Sequence, residues 1–318
     1  MIHLRLVVPP DLTDQVLDLL CDSPAVTSVV RIEGAAHKPE GDLILADVAR
    51  EDASVIVSDL RHLDLDHRGA IALEEVDSAI SDAAKAAEKA AKGLPSDAVV
   101  WEQVEARTSE ETELSASFIA FMIIATLIAS VGVIQDSPIL IIGAMVVGPE
   151  FGPLAAVSVA IVQQRRDLAK RSLTALAVGF PVGIGVTLLA AMFGKAVGIS
   201  PGDLAPQHQV LTGFISHPDW FSFIIAFLAG TAGMISLTSA KSGALIGVLI
   251  SVTTIPAAGN MAVAATYRDW GEVAGAAEQL AVNLTSIVLA GVLTLFVQRR
   301  FYIRRRKRHL AAAGSPSG

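Results

Sequence analysis

The chain has 318 residues, of which 52% are hydrophobic and 18% charged, and its formal net charge is −8. A single cysteine, Cys21, excludes a disulfide framework and fits a reducing compartment. The charge is uneven, because the first 115 residues hold 24 Asp and Glu against 10 Lys and Arg. The sequence therefore predicts an acidic soluble part followed by an apolar part.

Residues 1–77 alternate between strand and helix patterns. The predicted strands are 3–9, 26–32, 42–49 and 70–76, with helices at 11–22 and 54–63. The order βαββαβ predicts a ferredoxin-like α+β domain. Domains of this shape include both small-ligand sensors and domains that bind nothing, so the fold alone assigns no ligand. Cys21 follows Leu19 and Leu20 in the first helix and is predicted to be a core thiol.

A helical linker is predicted over residues 78–115. The Ala-rich stretch 79–92 is typical of a solvated spacer, and Thr108 and Glu111 have capping-box spacing for the helix that enters the membrane. Because no signal-peptide pattern precedes the first strand, the N-terminus is expected to stay in the cytoplasm.

Six apolar segments follow and predict an α-helical transmembrane domain over residues 116–298. They are about 116–134, 138–162, 172–194, 220–239, 243–266 and 278–298. With both termini inside, twelve basic residues flank these segments on the cytoplasmic side and two on the other. We therefore expect a multi-pass protein of a bacterial inner membrane. The basic tail 299–318 is more typical of contact with anionic lipid than of a nucleic-acid patch.

Glu150 is the one carboxylate placed deep in an apolar run, and it stands between Pro149 and Pro153. A charge at membrane depth costs roughly 2.5–3.5 kcal/mol unless it is neutralised, paired or hydrated. The surrounding Pro and Gly residues also interrupt the helix, which hydrocarbon does not tolerate. The pattern predicts a polar site, buried in protein or facing water, for a solute or ion.

A faint internal repeat relates the first three apolar segments to the last three, with a shift of about 105 residues. Ser117-Phe-Ile119 matches Ser222-Phe-Ile224, and the break at Pro153 falls near Pro256. Three spans per half would give the two halves opposite orientations, which is how many secondary transporters build a midplane site. The alternative is chance, because apolar segments align readily with one another.

Polar residues in the second half complete the candidate site: Thr253, Thr254, Asn260 and Asn283. Asn283 is equally compatible with a contact that ties helices together and with a place in the site. His208 and His217 have no metal-site spacing, so neither a metal nor a cofactor is predicted.

Three stretches resemble the DUF389 family of bacterial membrane proteins: Gly41–Glu51, Ile142–Glu150 and Leu280–Leu284. The resemblance covers essentially the whole chain. It implies a cytoplasmic ferredoxin-like part joined to a multi-span membrane part, and it implies no substrate or reaction.

The favoured function is a secondary transporter or channel for a small solute or ion, regulated by the cytoplasmic domain. The alternative is a non-transporting scaffold or signalling protein that acts through that domain. An enzyme is not expected, because no span holds a second catalytic group beside Glu150. Expected partners are the lipid bilayer, an unidentified solute or ion and further copies of the chain, but no nucleic acid.

Overall fold

An antiparallel sheet of four strands forms the first part of the chain in the computed structural model, which describes residues 1–76, 79–91, 98–201, 212–216, 219–239 and 253–313. The elements follow the predicted βαββαβ order, with one additional turn of helix before the last strand. They are β1 (Ile2–Val8), α1 (Thr13–Asp22), β2 (Val26–His37), β3 (Glu40–Val48), α2 (Arg50–His62), α3 (Leu65–Arg68) and β4 (Ala70–Glu75). The spatial order is β2-β3-β1-β4, so β1 pairs with both β3 and β4.

The core of this domain forms where the inward residues of β1 meet the two helices. Leu4 and Leu6 alternate with outward residues on β1 and are fully buried, together with Leu20 of α1 and Leu60 of α2. Cys21 is exposed, so its prediction as a core thiol is wrong. Neighbouring helix positions point in different directions, and Leu20 already takes the inward one.

Asp42 anchors the start of β3 through three hydrogen bonds. Its Oδ1 accepts from the backbone amide of Gly34 at 2.8 Å, and its Oδ2 accepts from Thr13 Oγ1 and Arg31 Nε, each at 2.9 Å. The bond from Gly34, supported by those from Thr13 and Arg31, lowers the pKa of Asp42 below its usual value. The carboxylate is therefore stabilised in its charged form.

Replacing Asp42 by Asn is expected to lower the thermal unfolding midpoint of a fragment of residues 1–104 at neutral pH. A carboxylate with a lowered pKa stabilises the fold above the unfolded-state value of about 4. That contribution is lost as the pH falls through the folded-state pKa, so wild type and variant should converge in acid. Circular dichroism melts between pH 2 and 7 measure this, with Glu40→Gln at the exposed hairpin turn as the control. A constant difference across that range would contradict the prediction.

The linker contains two helices, α4 (Asp82–Ala90) and α5 (Trp101–Glu111). α4, predicted as a solvated spacer, buries Ala84 and Ala87 and contacts β2. The predicted capping box is wrong, because Thr108 lies inside α5. The helix that follows begins after Ser115, whose hydroxyl accepts from the amide of Phe118 at 3.1 Å.

Apolar helices make up the second part of the chain. They are α6 (Ala116–Ile134), α7 (Pro138–Val147), α8 (Phe151–Gln163), α9 (Arg166–Ala196), α10 (Trp220–Thr238), α11 (Thr254–Thr266) and α12 (Trp270–Ala313). Four are long and apolar enough to cross a membrane, namely α6, α9, α10 and the Trp270–Ile303 part of α12. α7 and α8, bent by 52°, together make a possible fifth span. Positions 243–252 of the predicted segment 243–266 lie outside the described residues.

The long helices are much less buried than α8 and α11. The apolar windows of the long helices are 33–44% buried, and they expose side chains such as Phe121, Leu189 and Leu228. Residues 151–160 of α8 and 254–260 of α11 are all buried. The helical part thus has apolar side chains on its outside and the two short helices inside. This is the arrangement of a membrane protein, because interrupted helices in a bilayer must be enclosed by protein.

Helix lengths and turns recur between the two halves of this apolar part. α6 and α10 both have 19 residues, and α8 and α11 both have 13, with proline at the third position of each short helix. A residue of positive φ follows each short helix within two positions, Gln164 at 59° and Arg268 at 61°. The next amide then bonds back five residues, to Ala160 and Ala264 respectively.

Candidate functional site: the meeting point of two short helices

The break between α7 and α8 has the composition that the sequence indicated. Gly148 ends α7, and the half-buried Pro149 supplies no amide hydrogen. Pro153 is the third residue of α8, where a missing amide costs no helical hydrogen bond. A side chain at position 148 would collide with Oε2 of Glu150, so the glycine lets this carboxylate fold back against the break.

Glu150 lies at the centre of the site and is 5% exposed. Its Oε1 accepts a 2.5 Å hydrogen bond from Oγ1 of Thr254, the first residue of α11. Its Oε2 has no hydrogen-bond partner among the described residues. This single contact joins the N-terminal ends of α8 and α11, whose partial positive charges both favour an anionic group.

A second polar cluster lies beside the first, at the start of α11. Thr253 Oγ1 accepts from Asn283 Nδ2 at 2.8 Å and from Gln279 Nε2 at 3.3 Å. Gln279 also donates to Asn283 Oδ1 at 3.2 Å, while its own buried Oε1 lacks a partner within the described part of the chain. The cluster ties α12 to the N-terminus of α11.

Gln279 is the site residue that sequence reasoning missed. It precedes Asn283 by four positions, so the two lie on one face of α12. The four-residue spacing of these two amide side chains is the sequence signal that could have identified Gln279.

Asn260 is buried at 3% exposure but belongs to neither cluster. It lies six residues into α11 from Thr254, about 9 Å along the helix axis. Its neighbour Gly259 packs directly on α6, where an added Cβ would lie 2.7 Å from Ala129 Cβ. Asn260 is therefore buried further along α11 than the residues of either cluster.

Two cavities open at the two helix starts. The acidic cavity, of about 300 Å³, is lined by the α7–α8 break and the preceding linker: Glu110, Glu111, Glu113, Ser115, Phe118, Gly148, Pro149, Phe151 and Gly152. The amide cavity, of about 260 Å³, is lined by Pro138, Ile141, Ile142, Met145, Ser222, Ile225, Ala226, Thr253, Gln279 and Asn283. The Glu150–Thr254 hydrogen bond joins the two helix ends that line them.

The wall of the acidic cavity comes close to the unpartnered oxygen of Glu150. Gly148 lines this cavity, and a Cβ added to it would collide with Oε2. On the same wall, the carboxylate of Glu111 lies against Gly152. Although Glu111 is exposed as a whole, the partial burial of its carboxyl end raises its pKa, an effect opposed by Arg107. The cavity thus offers negative charge within a short distance of the buried site.

An exposed group of three acidic or imidazole side chains lies in the soluble domain, where Asp64, Asp66 and His67 approach one another. His67 Nδ1 is 3.1 Å from Asp64 Oδ1 and 3.2 Å from Asp66 Oδ1. These are solvated contacts around a turn, and such exposed pairs contribute little to stability.

Comparison with known proteins identifies one distant relative and one family model. The chain is 30% identical over 187 residues to a Methanocaldococcus jannaschii protein named uncharacterized protein MJ0678. That alignment covers 57% of this chain and 55% of the relative, so the chain spans about half the length of the protein it matches. No solved structure matches the chain. Residues 145–289, which include Glu150, Thr254 and Asn283, match the model of the DUF389 family, which is described as a domain of unknown function.

Proposed function

We propose that the protein is a secondary transporter for a small cation, which can be a proton, and that Glu150 is its binding site. The observation that carries this proposal is the buried carboxylate with one unpartnered oxygen at the junction of two interrupted helices. Charged groups placed at membrane depth in other proteins mark ion pathways and proton relays. A cation is the species that such an oxygen binds.

An inverted repeat of three spans each is the second part of the proposal. The equal lengths of α6 and α10 and of α8 and α11, with the same proline positions, fit two copies of one structural unit. We propose six spans with both termini in the cytoplasm of an inner membrane, which reverses the second copy relative to the first. The acidic cavity then faces the cytoplasm and the amide cavity the opposite side.

Alternating access follows from that arrangement. Glu150 and Thr254 form the contact between the two cavities, so movement of α8 against α11 would open the carboxylate to one side at a time. The uncharged Thr253–Gln279–Asn283 cluster provides oxygens for a cation that has left Glu150. In this proposal the soluble domain regulates the movement.

A scaffold is the competing function, in which these polar contacts only hold helices together. A transporter requires cavities that open to opposite sides of the membrane and a measurable flux of its substrate. A scaffold requires neither. Wild-type protein in proteoliposomes should transport protons or another inorganic cation, and the small anions in the same panel should not cross. Absence of flux across that panel favours the scaffold.

Cysteine labelling tests the proposed sidedness. The exposed Cys21 is first replaced by Ser, and single cysteines are then placed at Glu113 in the acidic cavity and at Ile225 in the amide cavity. A membrane-impermeant maleimide should react with position 113 from the cytoplasmic side and with position 225 from the other. Labelling of both positions from one side would contradict the inverted arrangement.

A further inference from the structure

A large apolar groove lies on the outside of the helical part, where α8, α9 and α12 diverge. Its volume is about 820 Å³, and its lining consists almost entirely of hydrocarbon side chains: Leu154, Val157, Ile161, Leu173, Leu176, Ala177, Phe180, Pro181, Leu280, Leu284, Thr285, Val288, Leu289 and Val292. The rim is open, since Ile161, Leu173 and Leu289 are 51%, 55% and 50% exposed. In a bilayer the occupant of such a groove is an acyl chain or another apolar helix.

A basic cavity adjoins one end of this groove. It has a volume of about 320 Å³ and is lined by Ala160, Ile161, Gln164, Arg165, Arg166 and Ala169. Ile161 lines both spaces, so the apolar groove and the basic cavity adjoin at that residue. A ligand that fills both must have an apolar body and an anionic end.

A third guanidinium lies at the same end. Arg299 donates from Nη1 to the carbonyl oxygen of Val162, the neighbour of Ile161. Arg299 also follows Val292 of the groove by seven positions, which is two turns along one face of α12. Arg165 forms an ion pair with Glu105, and no ion-pair partner of Arg166 occurs in the part of the chain that the structure describes. The three arginines at this end of the groove therefore carry more positive charge than Glu105, their one ion-pair partner among the described residues, neutralises.

We propose that this composite site binds one anionic phospholipid, with its phosphate at Arg165 and Arg166 and its acyl chains in the apolar groove. Charge complementarity favours a lipid over a second copy of the chain, because a helix filling the groove would leave the basic cavity without an anion. Basic pockets between membrane helices on the cytoplasmic side bind anionic head groups, and each basic residue near such a surface contributes roughly 1 kcal/mol, or about a factor of five. The inference is independent of whether Glu150 transports anything.

The test is a lipid titration of the full-length protein in an uncharged detergent, followed by native mass spectrometry. A short-chain phosphatidylglycerol should bind with one lipid per chain, and the matching phosphatidylcholine should bind at least several-fold more weakly. The double variant Arg165→Gln/Arg166→Gln should bind phosphatidylglycerol about 25-fold more weakly, from two factors of five. Arg268→Gln, at the opposite end of α12, is the matched control and should bind as wild type does.

The apolar half of the site is tested separately. Ala177 is exposed within the groove, so Ala177→Trp fills the groove without entering the core and should abolish binding of the lipid. Val292→Trp serves the same purpose from α12, and each variant is used only with an unchanged thermal unfolding midpoint.

Three results would overturn the proposal. Equal affinity for phosphatidylglycerol and phosphatidylcholine would show that the arginines do not select an anionic head group. Glycerol phosphate lacks acyl chains. If it competes as well as the lipid does, the groove does not contribute to binding. A dimer that dissociates on Ala177→Trp and binds no lipid would show that a second copy of the chain fills the groove.

Discussion

Glu150→Gln is expected to reduce cation flux in proteoliposomes to the rate of protein-free vesicles. Glutamine keeps the shape of the side chain and can still accept from Thr254 Oγ1, but it cannot exchange a proton or balance the charge of a cation. Fold and stability should survive, because the variant removes the cost of a carboxylate buried in an apolar segment. Loss of flux without loss of stability is therefore the distinguishing result.

Two companion variants sharpen that experiment. Thr254→Val removes the donor to Oε1 while leaving the carboxylate in place. It should slow flux about 10- to 100-fold, since a hydrogen bond to a charged group contributes about 1.5–3 kcal/mol. Glu278→Gln is the matched control, because this carboxylate is exposed one residue before Gln279. Wild-type flux in Glu150→Gln, or equal loss in Glu278→Gln, would contradict the assignment of Glu150.

Gly259→Leu is expected to have the largest effect on folding. α11 packs so closely on α6 at this position that an added Cβ would lie 2.7 Å from Ala129 Cβ and 3.1 Å from both Ser130 N and Thr126 O. Two of these neighbours are backbone atoms and cannot rotate away. Overpacking of a core costs typically about 1–3 kcal/mol, and the displaced helix also carries Thr254. The variant should unfold at a lower temperature than wild type or fail to accumulate.

Gly185→Leu provides the comparison. Gly185 lies in α9, and a Cβ there would meet no atom within 4 Å, so the same substitution should be tolerated. Fluorescence-detected size-exclusion chromatography after heating measures both variants against wild type. Equal unfolding midpoints for the two would show that α11 does not pack on α6 as described.

The break in the second apolar segment could be predicted from sequence because its causes are local. Gly148 and Pro149 interrupt the helix wherever the segment lies, and a carboxylate in an apolar run is visible by inspection. Cys21 shows the limit of the same reasoning, since periodicity placed the helix correctly but not the one residue that turns outward. The capping box at Thr108 failed similarly, because residues with capping spacing also occur inside helices.

The hydrogen-bond partners of the predicted site residues could not be predicted from local sequence patterns. Glu150 and Thr254 are 104 positions apart, and their hydrogen bond exists only because α8 and α11 meet end to end. Asn283 could be chosen from the sequence as a polar residue in an apolar segment, but its bond to Thr253 and its companion Gln279 depend on how α12 packs against α11. Asn260 is buried as well, but it lies further along α11 and belongs to neither cluster.

By itself the sequence determined the acidic βαββαβ domain, the apolar helices and the position of the break, because strand alternation, hydropathy and the effect of proline act within a few residues. Only the tertiary structure decided that two short helices are enclosed by the long ones, that a cavity lies at the start of each, and that Glu150 keeps one oxygen unpartnered. Those features depend on contacts between distant segments, which are set by the packing of whole helices and not by the local pattern of residues.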